Sequence, residues 1–386
     1  MNWEQLDWPA LDRLRAGFLS GSAAAGPYWT ALSDLASYDL TYAERIGWKW
    51  DALLRELTLR QWRPPTGTTL IDWGCGSGIA GRRVAAALGT DHFTALQVWD
   101  HSPLARTFAA NQARARFPAL AVTEIASEPT PASLPASYTL VLSHVFNELS
   151  AEQRTALLAL VAGAAAVLWI EPGTHADSRT LATVRDQVRT THQIVAPCTH
   201  RENCPLFLAA NERDWCHFFA SAPAGIQNDS NWVRFSHRAG LDLRSQAYSY
   251  LVLAAAPSSQ GSNQSPLIRD QSSARRDQVS DSPAPSSQLP APSSELIAPS
   301  SQLPAGSSAA RVLGRVEIFK PYARFLACEA TGLHWLELTK RTDPALIKRL
   351  DKSPPVPLYA LTHDGNRVSS MTPLVEEAAG SPAVED

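Results

Sequence analysis

The stretch LIDWGCGSGIAGR, residues 70–82, contains the pattern that decides the fold. An apolar run typical of a buried strand leads into glycine at every second position, Gly74, Gly76 and Gly78, and then into a helix-like segment. Glycine is required where the backbone turns sharply against a ligand, because a Cβ would fill the ligand's space. The following helix would present unpaired N–H groups to a polar ligand. The pattern predicts a ligand-binding loop; a glycine turn without a ligand is the alternative.

A second motif lies 22 residues beyond Gly78, where an apolar run ends in Asp100. A carboxylate there can accept hydrogen bonds from both hydroxyls of an adenosyl ribose. The glycine spacing, preceded by Asp72, differs from the Gly-x-Gly-x-x-Gly of dinucleotide-binding folds. The two motifs resemble those of class I S-adenosylmethionine-dependent methyltransferases, so S-adenosylmethionine is the expected cofactor and NAD(P) the alternative. The expected cofactor-binding residues are Asp72, Gly74, Gly76, Gly78, Asp100 and Ser143.

Strand-like and helix-like segments alternate from residue 69 to residue 189, which is typical of a parallel sheet with right-handed crossovers. We expect an α/β fold of the class I S-adenosylmethionine-dependent methyltransferase (Rossmann-like) type. Its seven-stranded sheet should end with Tyr248–Ala254 and Val312–Ile318. Residues 1–62 have helical periodicity and predict a helical N-terminal cap. The methyltransferase-like domain is therefore expected to comprise residues 63–256 and 310–352.

Two segments have the composition of disordered chain. Residues 257–309 are dominated by Ser, Pro, Gln, Asn and Ala, which cannot bury enough surface to offset the entropy of ordering. Strand-like sequence resumes after them, so they predict a disordered insertion within a domain. Residues 353–386 carry one Arg against five acidic residues and predict a disordered acidic tail.

The segment Tyr138–Leu149 predicts the fourth strand and the loop that follows it. The carboxyl ends of strands border the ligand crevice of an open α/β sheet, so Ser143, His144 and Glu148 should face the pocket. His144 and Glu148 are the candidate catalytic residues, His144 as a base; packing against the cofactor or capping the next helix is the alternative role for His144. The chain lacks the Asn/Asp-Pro-Pro-aromatic motif of exocyclic-nitrogen methylation and has no Cys between residues 76 and 197 to attack a pyrimidine. Both chemistries are disfavoured.

Five cysteines, an odd number, argue against a disulfide framework. Cys75 belongs to the glycine loop, and the other four, Cys198, Cys204, Cys216 and Cys328, form a set that suits one metal centre. The five-residue gap between Cys198 and Cys204 is wide for zinc and favours a [4Fe–4S] cluster, with zinc as the alternative. Residues 190–220 are thus a predicted metal-binding segment. Unrelated buried thiols are the third reading, although polar, proline-flanked surroundings are unusual for core cysteines.

The composition of the chain bears on its cellular location and on the partners that it can attract. The chain has 386 residues, 45% of them hydrophobic, and a net charge of −3, which gives no general electrostatic attraction to nucleic acid. It contains no uninterrupted apolar stretch long enough for a membrane span, and its first residues lack a secretory or transit pattern. We expect a cytoplasmic protein with no membrane association, and a monomer.

Three further motifs carry a family resemblance: Glu171-Pro172-Gly173-Thr174, the Cys198…Cys204-Pro205-Leu206 element and Asp214-Trp215-Cys216-His217-Phe218. With them the chain resembles the methyltransferase-like family of the mitochondrial small ribosomal subunit and its bacterial relatives, over roughly residues 40–256 and 311–341. The resemblance implies a class I methyltransferase fold, a [4Fe–4S] cluster on the four cysteines, association with small-subunit ribosomal RNA and a bacterial cytoplasmic location. The Ser/Pro-rich insertion and a wider gap between Cys204 and Cys216 depart from the family pattern.

Two functions fit these motifs. One is an enzyme that transfers a methyl group from S-adenosylmethionine to ribosomal RNA, where the protein mainly positions donor and acceptor. The other is a catalytically inactive assembly or RNA-binding factor with a structural metal centre, which the missing acceptor motif favours. A small-molecule methyltransferase would leave the cysteines unexplained.

Overall fold

The glycine loop follows the first strand of a mixed sheet in the computed structural model, which describes residues 2–20, 28–256, 303–304, 306–352 and 358–374. The strands of this sheet are β1 (Thr68–Trp73), β2 (Phe93–Trp99), β3 (Val122–Glu124), β4 (Tyr138–Ser143), β5 (Ala166–Pro172), β6 (His192–Ala196), β7 (Phe218–Ser221) and β8 (Ser245–Ala255). The helices around it are α1 (Trp8–Ser20), α2 (Leu32–Tyr38), α3 (Glu44–Leu59), α4 (Ile79–Leu88), α5 (Pro103–Arg116), α6 (Ala151–Gly163), α7 (His175–Val188) and α8 (Ser230–Ala239).

The strand order of this sheet is β3-β2-β1-β4-β5-β8-β6, and β7 also pairs with β8. Strand β1 runs parallel to its neighbours β2 and β4, whereas β8 is antiparallel to β5 and β6. Every residue of β1 is buried, as expected for a central strand with helices on both faces. The single reversed strand between β5 and β6 completes the class I methyltransferase order. The predicted α/β, Rossmann-like fold class is therefore confirmed.

Two apolar clusters lie on the two faces of the sheet. One face is covered by α3, α4 and α5, which contribute Trp50, Val84 and Ala109, and the other by α6 and α7, which contribute Leu157 and Leu181. The N-terminal cap consists of α1, α2 and α3, and a π-helical turn, Asp39–Ala43, joins α2 to α3. None of the described helices is both long and apolar enough to cross a bilayer.

The C-terminal part of the chain forms a second body that the sequence analysis did not predict. Strands β9 (Ser308–Ile318), β10 (Tyr322–Glu329), β11 (Gly332–Thr339), β12 (Tyr359–Asp364) and β13 (Arg367–Pro373) close into a barrel, with helix α9 (Pro344–Lys352) between β11 and β12. The prediction that Val312–Ile318 completes the main sheet is wrong. Strand β6 is the edge strand of the main sheet next to β8. Strand β9 pairs instead with β10 and β12.

The predicted disordered tail is also different in the structure. Residues 358–374 of the proposed 353–386 tail supply β12 and β13, whose inward side chains Leu361, Val368 and Met371 complete the barrel core. The proline-rich sequence that precedes them concealed this alternation. Of the predicted 257–309 insertion, residues 257–302 and 305 lie outside the described residues, and β9 already begins at Ser308.

A buried ion-pair network joins the barrel to the helical cap. Glu56 on α3 accepts hydrogen bonds from Arg311 on β9, from Arg60, and from the hydroxyl of Tyr250 at 2.6 Å. Burial alone would raise the pKa of Glu56, but the Arg311 and Arg60 guanidiniums lower it to about 2. The Arg311 guanidinium also lies 4.2 Å from the ring centroid of Phe218 on β7. These contacts fix the barrel against the sheet that carries the glycine loop.

Candidate functional site

The three loop glycines have different structural reasons to be glycine. All have positive φ: 67° at Gly74, 51° at Gly76 and 80° at Gly78. A Cβ on Gly74 would lie 2.5 Å from Val145 Cγ1, and one on Gly78 would lie 2.7 Å from Ala109 Cβ. A Cβ on Gly76 would meet no atom within 4 Å. Gly74 and Gly78 therefore allow close packing, whereas Gly76 faces open space at the carboxyl end of β1, where a ligand can lie against the backbone.

Asp100 connects the end of β2 to the glycine loop. Its Oδ2 accepts a hydrogen bond from the Gly76 N–H at 3.0 Å, and its Oδ1 accepts one from the Ser102 N–H at 2.9 Å. Burial raises the pKa of this carboxyl, although the hydrogen bonds from Ser102 and Gly76 act in the opposite direction. Asp100 thus lies next to the open side of Gly76, where each carboxylate oxygen retains a second acceptor site.

Asp72 is buried beneath the loop. Its Oδ2 accepts a hydrogen bond from the N–H of Gly81 in the first turn of α4 at 3.0 Å, and a Cβ on Gly81 would approach this oxygen to 2.7 Å. Burial raises the pKa of Asp72 to about 7. The described contact of Asp72 is thus with the helix that follows the loop, so its role is to position α4.

Ser143 and His144 meet side chains of the helical cap at the end of β4. The Oγ of Ser143 accepts a hydrogen bond from Trp50 Nε1 at 3.1 Å, and His144 Nε2 lies 3.2 Å from Lys49 Nζ. His144 has φ of 58°, a left-handed conformation that costs a non-glycine residue about 1–3 kcal/mol. Its backbone N–H donates to the carbonyl of Ile170 at 2.8 Å. This strained conformation points to a role for His144 in function.

The Lys49–His144 pair is electrostatically unusual. Burial, followed by the charge of the nearby Arg45, lowers the pKa of Lys49 to about 7. Burial and the Lys49 charge hold the pKa of His144 well below its usual range. Near neutral pH His144 is therefore neutral and Lys49 is readily deprotonated, which suits proton transfer. The sequence analysis missed Lys49, because a single Lys between two tryptophans in a helix carries no motif.

Glu171 shapes the loop that carries His144 and Glu148. Its Oε1 accepts hydrogen bonds from the Val145 and Phe146 N–H groups at 3.3 and 3.1 Å and from Trp169 Nε1 at 2.7 Å, while its buried Oε2 has no partner within the described residues. Burial raises the pKa of Glu171 to about 7. The Glu-Pro-Gly-Thr motif is thus explained in part by a carboxyl group that positions the loop after β4.

Glu148 and Tyr28 complete the open end of the crevice. Burial, followed by the charge of Asp100, raises the pKa of Glu148 to about 7. Burial raises the pKa of Tyr28 well above its usual value, and the charges of Glu148, Asp100 and Cys75 raise it further. The ring of Tyr28, from the segment before α2, lies within electrostatic range of these carboxylates, with its centroid 6.3 Å from that of His101. No sequence motif marks Tyr28, since its position depends on how the cap packs.

The four predicted metal-ligating cysteines come from separate elements. Cys198 follows β6, Cys204 precedes a single 3-10 turn, Cys216 precedes β7 and Cys328 lies on β10 of the barrel. Burial raises the pKa of Cys216, and Cys198, Cys328 and Cys204 raise it further. Cys198 and Cys204 likewise raise the pKa of Cys328 beyond the effect of burial. The four thiols therefore lie within electrostatic range of one another, with Cys328 on the barrel and the other three on segments next to the main sheet.

Arg185 and Asp186 on α7 hold the loop that carries two of these thiols. Arg185 donates to the carbonyls of His200 and Glu202, and Asp186 accepts from the N–H of Cys204 at 3.0 Å. The Sγ of Cys328 lies 3.7 Å from His200 Nε2. Arg185 is buried beside Cys198, so it places a positive charge next to the thiols. His200 is consequently beside the cluster, whereas the ring of His217 stacks on Trp215 with centroids 4.4 Å apart.

A different group has the tight spacing of ligands to a single ion. Glu329, His334 and His363 place three ligand atoms within 4.8 Å of one another, and in the described part of the chain no three cysteines do so. The three residues lie on strands β10, β11 and β12 of the barrel.

This chain is similar to known proteins in both sequence and fold. The chain matches the family model described as mitochondrial small ribosomal subunit Rsm22 over residues 41–281. No curated protein matches it significantly. Similar solved structures include magnesium protoporphyrin IX methyltransferase from Synechocystis PCC 6803, at 12% identity over 66% of this chain and 94% of that one, with a TM-score of 0.35. An S-adenosylmethionine-dependent methyltransferase from Aquifex aeolicus has 15% identity over 43% and 90%, with a TM-score of 0.32.

The family match covers the glycine loop, the loop after β4 and three of the four clustered cysteines, and it extends over more than half of the chain. The suspected family is therefore confirmed: this chain belongs to the mitochondrial small ribosomal subunit Rsm22 family.

Proposed function

We propose that this protein binds S-adenosylmethionine at the glycine loop, acts on or with small-subunit ribosomal RNA, and carries a [4Fe–4S] cluster on Cys198, Cys204, Cys216 and Cys328. The family description supports the ribosomal association. The observation that carries the cofactor assignment is the open space at Gly76, bordered by Asp100. A Cβ at this position would enter the volume that the cofactor needs.

The residues around the loop fit this cofactor. The Gly76 backbone would lie against it, Asp100 would accept hydrogen bonds from the ribose hydroxyls, and Glu148 and Tyr28 would border the opening. When bound, S-adenosylmethionine supplies a methyl group that is already activated for transfer. The His144–Lys49 pair would take up the proton that an N–H or O–H acceptor loses on methylation, with Lys49, whose pKa is about 7, as the stronger base and His144 as the group that positions it.

Transfer of labelled methyl groups to free small-subunit RNA and to small ribosomal particles tests the enzymatic form of this proposal. The wild-type chain should label one of these acceptors, and His144→Gln should lose about 100-fold or more of the rate while retaining cofactor affinity by calorimetry. His237→Gln, a change at an exposed histidine on helix α8, is the control. Absence of transfer by the wild-type chain, with normal cofactor binding, would favour the alternative below.

The donor chemistry of the thiol cluster fits an iron–sulfur centre. Four thiols are available, and buried Arg185 and Arg311 lie near them to offset negative charge. A cluster held there would tie the segment from Cys198 to Cys216 to the barrel through Cys328. Metal binding should therefore be coupled to the folding of this region.

Anaerobic purification with quantified iron, sulfide and zinc tests this centre. Cys328→Ser should remove the iron and make residues 190–220 sensitive to protease, whereas Cys75→Ser, a buried cysteine of the glycine loop, should retain the iron. One zinc per chain without sulfide would refute the iron–sulfur assignment and retain the four-cysteine site. Full iron content in Cys328→Ser would exclude Cys328 as a ligand.

A catalytically inactive assembly or RNA-binding factor with a structural metal centre is the second candidate. The observation that favours it is that the chain has no Asn/Asp-Pro-Pro-aromatic motif and no cysteine between residues 76 and 197 to act on a methyl acceptor. In this form the chain would bind ribosomal RNA without methyl transfer. Equal RNA binding by wild type and His144→Gln, with no labelled product from either, would support it.

A further inference from the structure

The C-terminal barrel has the topology of a known nucleic-acid-binding fold. Its five strands close in the order β10-β11-β13-β12-β9, which, counted along the barrel's own chain, is 2-3-5-4-1. Strand β11 pairs in parallel with β13, and helix α9 connects β11 to β12. These are the features of the OB-fold, which binds oligonucleotides on the face of its second and third strands and on the adjoining loops.

Side chains along β10 and β11 point alternately into the barrel core and onto an outer face. Ala323, Phe325 and Leu336 point inward and are fully buried. Half of the outer face packs against the methyltransferase-like domain, where Leu326 joins its core cluster. The other half, around Trp335, is exposed to solvent. The domain contact therefore leaves part of the expected ligand face of the barrel accessible.

The accessible half is an aromatic surface. Trp335 on β11 is 41% exposed, and the Arg324 guanidinium lies 4.7 Å from its ring centroid. Phe319, in the loop between β9 and β10, is 39% exposed and stacks on Tyr322 with centroids 4.8 Å apart and planes 30° apart. Large rings with accessible faces beside a guanidinium plane are the groups on which unpaired bases stack.

The charge of the barrel complements a polyanion. Residues 311–373 carry ten Lys and Arg against six Asp and Glu, in a chain whose net charge is −3. Lys320, Arg324, Lys340 and Arg341 are exposed on or beside the aromatic surface. Glu317 lies 4.0 Å from Arg324 and Glu337 is partly exposed, so the surface is mixed with a positive excess. Basic side chains around stacking rings favour a nucleic acid strand over an acidic or apolar protein partner.

We propose that the surface formed by Phe319, Tyr322, Arg324 and Trp335 binds a single-stranded segment of RNA by stacking its bases. This inference rests on the proposed association with ribosomal RNA and names the surface that provides it. The glycine loop would then bind the cofactor, and the barrel would bind the RNA. Unpaired bases are required, because a base within a duplex does not expose its face to an aromatic ring.

Fluorescence anisotropy with the full-length chain and a labelled 12-nucleotide single-stranded RNA tests the proposal. Each lost stacking contact should weaken binding roughly 5- to 150-fold. We therefore expect Phe319→Ala/Trp335→Ala to bind at least about 25-fold more weakly, with unchanged affinity for S-adenosylmethionine. Leu32→Ala, which removes an exposed apolar side chain from the cap, should bind RNA normally. A duplex of the same sequence should bind more weakly than the single strand.

The possible results distinguish a failure of this surface assignment from a failure of the proposed function. Wild-type affinity in Phe319→Ala/Trp335→Ala, in a chain that binds ribosomal RNA, would overturn the surface assignment alone. No RNA binding by the wild-type chain would overturn the ribosomal RNA association as well. Loss of binding to small ribosomal particles with unchanged binding to RNA would show that this face contacts a protein, and would also overturn the proposal.

Discussion

At the scale of single residues, two glycines provide a test of the cofactor loop. Gly76 and Gly67 both have positive φ, 51° and 74°, and a Cβ on either would meet nothing within 4 Å. Alanine at each position should therefore cost a similar backbone strain of about 1 kcal/mol. Only Gly76→Ala should also weaken S-adenosylmethionine binding, by tenfold or more, because its methyl group enters the cofactor volume. Calorimetry and urea unfolding of both variants measure the two effects, and equal cofactor affinity would exclude Gly76 from the site.

Glu171 predicts a pH dependence of stability. Its pKa is raised from 4.5 to about 7 in the folded state, so the stability that it contributes is fully present below pH 4.5 and is lost as pH rises through 7. This rise corresponds to roughly 3 kcal/mol between pH 4 and pH 8. Glu171→Gln should retain the acceptor oxygen and reduce this loss. The exposed Glu152→Gln on α6 is the control, and a pH dependence in Glu171→Gln identical to that of the wild type would contradict the assignment.

At the scale of elements, helix α3 connects three parts of the molecule. It supplies Lys49 to His144, Trp50 to Ser143 and Glu56 to Arg311 of the barrel. A cap helix whose sequence shows amphipathic periodicity thus also lines the candidate site. Its polar residues on the buried side are explained by these contacts and not by packing alone.

The Glu56–Arg311 contact predicts a large cost for breaking one side of a buried ion pair. Arg311→Met should lower the free energy of unfolding by about 3 kcal/mol, because the Glu56 charge stays buried with only Arg60 and Tyr250 as partners. Glu56→Gln/Arg311→Met should recover part of this loss. Arg324→Met, which removes an exposed arginine 4.0 Å from Glu317 on the same barrel, should cost less than about 1 kcal/mol in the same urea titration. Equal costs for the two single variants would contradict the buried network.

At the scale of the whole molecule, carboxyl groups with opposite pKa changes give the free energy of unfolding a maximum in its dependence on pH. Glu56, lowered to about 2, contributes stability above pH 4.5 that is lost as pH falls through 2. Asp72, Glu148 and Glu171, each raised to about 7, contribute stability that is lost as pH rises toward 7 and beyond. Urea unfolding across pH 4 to 8 should therefore give its largest free energy at the acidic end of this range, near pH 4, and a falling free energy from there to pH 7. A steady increase from pH 5 to pH 8 would contradict this balance.

The elements that could be predicted from sequence are those whose signals are local. The glycine loop, its strand and its helix follow from the residues between Leu70 and Arg82, and the mostly parallel sheet follows from the alternation of strands with helices. The barrel was missed because β9 looks like a final strand of the main sheet, and because β12 and β13 are short and follow a proline-rich stretch. Strand pairing between distant segments has no local signal.

The sequence by itself determined the α/β class and the strand, glycine turn and helix around Gly74, Gly76 and Gly78, and it predicted a site at four of the five cysteines. Only the tertiary structure decided that Cys328 belongs to a separate barrel, that Lys49 meets His144 and that Trp335 and Phe319 share one exposed face. Local pattern fixes which face of an element is apolar, because that depends on period and residue type. Which elements then meet depends on burying those faces together, and that is a property of the whole chain.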